Sequence, residues 1–187
     1  MIRALLTVLL VATPIALAAQ QPRPLTTTER ITDPRPKPRG EPLLRAAVLN
    51  VHNRARAAYG SRPLVYDTRL AADAMVYARA LARSGRFEHD PQTGRKPKQG
   101  ENLFMGTRGA YRYERMMQLM VDERADYVPG IFPNVSRNGR WWEVGHYTQI
   151  IWPTTRRVGC AVAASRTDEY LVCRYTPGGN VVGTRLR

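Results

Sequence analysis

Cysteine, histidine and acidic residues are all scarce in this 187-residue chain, and each shortage narrows what it can do. Two cysteines and three histidines, with no finger-type spacing among them, exclude the common structural zinc modules. No His-Glu-x-x-His helix and no Gly-x-Ser-x-Gly elbow is present, so the zinc proteases and serine hydrolases built on those motifs are excluded too. Fifteen acidic residues stand against 29 lysines and arginines, a formal charge of +14. That excess suits anionic surfaces such as phospholipid head groups or other polyanions. It comes without an aromatic-interleaved RNA-binding signature, so specific nucleic-acid recognition is not expected.

The amino terminus has the form of a targeting segment. Arg3 supplies a positive start, Leu5 to Ile15 is mostly apolar, and Ala16-Leu17-Ala18 is a small-x-small cleavage site. The run is shorter than the ~20 residues that span a bilayer, and Pro14 interrupts it. Residues 1–18 are therefore expected to be a signal peptide, with the mature chain secreted or periplasmic and no transmembrane segment left in it. Loss of Arg3 leaves 28 − 15 = +13. Export to an oxidising compartment favours a bond between Cys160 and Cys173, about 3 kcal/mol for so short a loop; two buried thiols are the alternative.

Residues 19–42 carry six prolines and few apolar side chains, the composition of an extended linker, and the domain is expected over 43–187. Leu44, Ala47, Val48, Val51 and Ala55 recur at helical steps, with Arg45, Arg54 and Arg56 largely off that stripe and Gly60 ending it. His52 at its edge reads as a packing residue. Asp67 can cap a second helix through Ser84, before Gly85. His89 then falls in a loop, and Glu101 and Asn102 lie between that loop and an apolar pair. A third helix is expected from about Ala110 to Tyr127, its apolar face formed by Tyr113, Met116, Met117, Met120 and Val121, with Glu123 beside it. The runs Arg157–Ala164 and Glu169–Tyr175 read as an antiparallel hairpin that brings Cys160 and Cys173 together.

His52-Asn53-x-x-Arg56, Leu64-x-Tyr66-Asp67-x-x-Leu70-Ala71 and Phe87-x-His89-Asp90 are followed in order by Gly100-Glu101-Asn102-Leu103 and by Gly145-His146-Tyr147-Thr148-Gln149-Ile150-Ile151-Trp152. Val158-Gly159-Cys160 and Pro177-Gly178-Gly179-Asn180 complete the series. In these seven segments the chain resembles the CAP superfamily, the cysteine-rich secretory, antigen 5 and pathogenesis-related 1 proteins, also called the SCP domain. The resemblance implies an α+β fold, a three-layer α-β-α sandwich with a central antiparallel sheet. It also implies a cleft holding His89, Glu101, Glu123 and His146, with Asn102, Tyr147 and Gln149 as neighbours, and a Cys160–Cys173 disulfide. Met120 stands where the family usually has tryptophan, and Val144 where many members have cysteine. The chain fits a compact bacterial-type secreted form.

Two imidazoles and two carboxylates suit Zn²⁺ or another divalent metal. The resulting expectation is a binding module, more a binder than an enzyme, taking a metal and a small or lipidic ligand at an anionic envelope surface. The methionine- and tyrosine-bearing third helix is the motive for a lipid. One alternative is a peptidase-like, metal-dependent hydrolase with Glu101 as base; another is a polyanion-binding basic protein.

Overall fold

The structure, a computed structural model, describes residues 37–187; the expected signal peptide, 1–18, and most of the expected linker, 19–42, lie outside the described residues. Helix α1, Glu41–Tyr59, carries a proline in its first turn and ends where Gly60 takes a left-handed φ of 87°. Helix α2, Thr68–Ser84, begins on Asp67, whose carboxylate accepts the N–H groups of Arg69 and Leu70, and stops at left-handed Gly85. The third helix is shorter than its apolar pattern predicts: α3 covers Tyr113–Asp122, and the chain tightens into a 3₁₀ turn at Glu123–Ala125. It stops there because the Glu123 side chain is drawn to the start of a fourth helix, α4, Gly145–Ile151.

Strands β1 (Val65–Tyr66), β2 (Gly100–Thr107), β4 (Arg157–Ala164) and β5 (Asp168–Thr176) form one sheet in the order β1-β4-β5-β2. β4 and β5 make the expected hairpin, β2 pairs antiparallel to β5, and the two residues of β1 run parallel to β4, so the sheet is mixed at that margin. Strands β3 (Gly130–Ile131) and β6 (Arg185–Leu186) form a separate two-stranded ribbon.

Alternation along β5 sorts the core into two layers. Tyr170 and Val172 pack with Leu103, Ala161 and the Ala74, Ala78 and Leu81 face of α2. Leu171, Cys173 and Tyr175 point the other way, into the larger cluster with Val48 and Val51 of α1, Met116, Met117 and Met120 of α3, and Ile150 of α4. The result is the three-layer α-β-α arrangement. Cys160 and Cys173 face each other across β4 and β5 and are bonded, with 4.1 Å between their Cα atoms. At Gly159 the first turn of α2 approaches β4 so closely that a Cβ would lie 2.3 Å from the Ala71 nitrogen.

Arg56 departs from its expected place outside the apolar stripe, for it is fully buried. Its guanidinium donates to the carbonyls of Arg62, Ile150, Trp152 and Thr155 at 2.6 to 3.0 Å. Carbonyls at a helix C-terminus lack intrahelical partners, and Arg56 supplies them at the end of α4. His52 is also fully buried and has both ring nitrogens engaged. Nδ1 donates to the Val48 carbonyl at 2.9 Å, which leaves Nε2 to accept from the Tyr175 hydroxyl at 2.8 Å. Burial pulls its pKa from 6.5 down to about 4, with the Val48 hydrogen bond opposing and the Arg56 charge reinforcing the shift.

Candidate functional site

Glu101 and Asn102 are consecutive on β2, so their side chains leave the sheet on opposite faces. Glu101 lies opposite Arg174 on the α2 face; Asn102 lies opposite Cys173 on the face covered by α1, α3 and α4. The four expected residues accordingly form two histidine–carboxylate pairs, one tied to each face near the start of β2.

On the α2 face His89 Nδ1 is 2.6 Å from Glu101 Oε1, which also accepts the Asp90 N–H at 3.1 Å. The other oxygen, Oε2, meets Nη1 of Arg174 at 3.0 Å in an ionic contact without hydrogen-bond alignment. Arg174 is 1% exposed, donates from Nη2 to Asp90 Oδ2 at 2.6 Å, and places its guanidinium 5.4 Å from the centre of the Tyr77 ring, over its face. One buried cation thus faces two carboxylates, the compensation a buried charge requires. Arg174 Nε and Gln99 Oε1 are buried without a hydrogen-bond partner in the protein. The His89 side chain itself is 62% exposed. Next to it the loop from Asp90 to Lys96 encloses an open depression of about 680 Å³.

On the opposite face Glu123 takes His146 Nδ1 at 2.5 Å and the N–H groups of His146 and Tyr147 at 3.0 Å each. The carboxylate therefore fixes the imidazole and satisfies the first turn of α4 together. Burial lowers the His146 pKa, the charge and hydrogen bond of Glu123 raise it, and the net shift is upward.

Asn102 joins the two halves. Its amide donates to the His146 carbonyl at 3.1 Å and to the Tyr175 hydroxyl at 3.2 Å. The other two expected neighbours are taken up by the fold. Tyr147 is buried edge-on to Tyr127, and Gln149 accepts the Gly179 N–H at 2.8 Å while donating to Thr155. The methionines of α3 are interior at 0 to 2% exposure, so they give no apolar wall to a cleft.

The residues fit a metal ion only in part. Among the described residues no three His, Cys, Asp or Glu side chains gather to hold an ion. Each imidazole, however, has Nδ1 on a carboxylate and, among the described residues, no hydrogen bond at Nε2. That is the orientation in which an outer carboxylate supports a metal-ligating histidine.

The profile of the cysteine-rich secretory protein family, CAP, matches residues 49–175. The chain belongs to this family. Among relatives of this CAP chain, a PR-1 type pathogenesis-related protein of Sambucus nigra is 34% identical over 138 residues, 73% of this chain and 78% of that protein. Pathogenesis-related protein 1C of Nicotiana tabacum is 35% identical over 136 residues, 72% of this chain and 76% of the other. Among solved structures, NaASP2 with Zn²⁺ aligns with a TM-score of 0.64 at 27% identity, covering 80% of this chain and 88% of that one. BmVAL-1 aligns at 0.63 and 20% identity over 79% and 82%, a likeness of fold alone. Within the CAP site, sequence reasoning missed Arg174, Tyr77 and the acceptor role of Asp90. The available signal was an arginine in the middle of the apolar run Tyr170–Tyr175, where a charge needs a buried partner.

Proposed function

We propose that this CAP-family chain is an extracytoplasmic binding module that captures a polar or ionic ligand between its two histidine–carboxylate pairs. The observation that carries this reading is the shared state of His89 and His146, each oriented through Nδ1 and, among the described residues, without a hydrogen bond at Nε2. A divalent ion such as Zn²⁺ is one ligand for such a pair. Two imidazoles without a third protein ligand would leave the remaining positions to water or a guest molecule, so the ion would be held weakly and exchangeably. The disulfide and the family relationship support a location outside the cytoplasm.

A hydrolase using Glu101 as base has less support. Oε1 already accepts from His89 and Asp90, and Oε2 faces Arg174, so no oxygen is placed to receive a proton from water. A lipidic ligand loses the motive that α3 gave it, because the methionines of that helix lie in the core.

Calorimetric titration of Zn²⁺ into chelator-treated protein tests the reading. Binding of one ion per chain is expected, weakened at least tenfold by either His89→Ala or His146→Ala. Equal heats from wild type and the double variant would end the proposal.

A further inference from the structure

The hydrogen-bond parity of the sheet leaves one side of β2 unused. Val158 gives its carbonyl to Asp67 of the β1 segment, and Ser165 donates to Asp168 across the hairpin turn. Val158, Cys160 and Val162 therefore turn their backbone groups away from β5, while Gly159 and Ala161 bond to it. Continuing the alternation through the β5 register, Cys173 and Leu171 bond to Asn102 and Phe104 of β2. Arg108 donating to the Thr167 carbonyl keeps the same phase. The backbone groups of Glu101, Leu103 and Met105 point away from the sheet, and among the described residues no backbone–backbone hydrogen bond from outside the sheet reaches them.

This edge lacks the features that normally discourage strand addition. From Asn102 to Gly106 there is no proline and no lysine, and the register with β5 runs from Gly100 to Thr107 without a bulge. Cationic residues flank both ends. Lys96 and Lys98 precede the strand, and Arg108 and Arg112 follow it, all exposed.

We propose that the outer edge of β2 is a docking surface for an extended acidic peptide, which adds as a further strand along Leu103 to Thr107 with its carboxylates toward the flanking cations. Main-chain hydrogen bonds would supply affinity and the basic ends selectivity. The proposal goes beyond the histidine-pair reading and does not require it, since the imidazoles make none of the proposed bonds.

The probe is a capped decapeptide of alternating valine and glutamate, with the valine–lysine version as control, and the readout is amide hydrogen exchange followed by NMR. In the free chain the amides of Leu103, Met105 and Thr107 should exchange fast, while those of Phe104 and Gly106 are already protected. The acidic peptide should slow the first group at least tenfold and leave the second unchanged. Met105→Pro removes an outward N–H without touching a β5 bond, a position where an edge strand tolerates proline, and should abolish the protection. Thr107→Pro, at an exposed position, should weaken it and guards against a folding defect in the first variant. The proposal is overturned by absence of protection at millimolar peptide, by equal protection from the lysine peptide, or by undiminished binding to both proline variants. It is also overturned if the three amides are protected in the free chain, or become so with protein concentration alone, which would make a second copy the occupant. The Zn²⁺ titration reports on the imidazoles separately, so the two readings fail independently.

Discussion

His52 and His146 lie on the same side of one sheet, yet one imidazole is closed inside the protein and the other is held at its margin. His52 has both nitrogens matched to neutral partners, the Val48 carbonyl and the Tyr175 hydroxyl, and its pKa falls to about 4. His146 has one nitrogen matched to a carboxylate, and its pKa rises. A neutral, saturated ring stabilises a core, whereas a ring with one nitrogen on a carboxylate is oriented by a charge and has its other nitrogen still to match. Arg56 and Arg174 repeat the contrast among cations: the first saturates carbonyls in the interior, and the second sets carboxylates beside His89.

The comparison breaks most severely at Arg56. Arg56→Ala should cost about 4 kcal/mol or more, because carbonyls at four residues lose their buried donor. Urea denaturation measures the loss, and Arg56→Lys should restore only part of it, since an ammonium cannot reproduce the planar fork. A small effect would mean that the interior is far wetter than its burial indicates.

Second in size is the pH dependence of His52. The unfolded ring takes a proton near pH 6.5, the folded ring only near 4, so the unfolded state binds more protons between those values and stability falls with acidification. The loss attributable to this ring should reach about 3 kcal/mol by pH 4. His52→Phe should lower stability at neutral pH, where the Tyr175 hydrogen bond is lost, and flatten the acid slope. His146 has the opposite sign: its pairing stabilises at pH values below the ordinary histidine range, and that contribution fades as pH rises through its raised pKa. Urea midpoints of His52→Phe and His146→Ala across pH 4 to 8 should therefore diverge in opposite directions from wild type.

The smallest effect belongs to His89. With 62% of its side chain exposed, and with Glu101 still facing Asp90 and Arg174 after its removal, His89→Ala should change stability by no more than about 0.5 kcal/mol. A larger loss in thermal unfolding would show that the edge imidazole belongs to the structural class after all.

The legible part of the fold was the part specified locally. Asp67, Gly60 and Gly85 bound their helices because a cap and a left-handed turn are properties of adjacent residues. β2 was not legible, because Asn102 points a polar side chain into the core and spoils the alternation by which a strand is recognised. Arg56 and Arg174 were obscured for a related reason, since their compensating partners lie 94 and 84 residues away and helical or strand periodicity cannot see them. Family motifs named the four site residues, but nothing in their spacing says which carboxylate serves which ring. That assignment depends on the opposite directions in which Glu101 and Asn102 leave one strand.

Tyr175 has a consequence reaching past its own packing. Val48 can only accept, so His52 donates to it and accepts from Tyr175, and the phenol in turn accepts from Asn102, whose amide also grips the backbone at His146. The polarity of this relay is dictated end to end by a single helical carbonyl, with no alternative arrangement of its protons. The margin of the sheet thus takes its alignment from the first helix, and a lesion as distant as a frayed α1 would be felt there as lost precision.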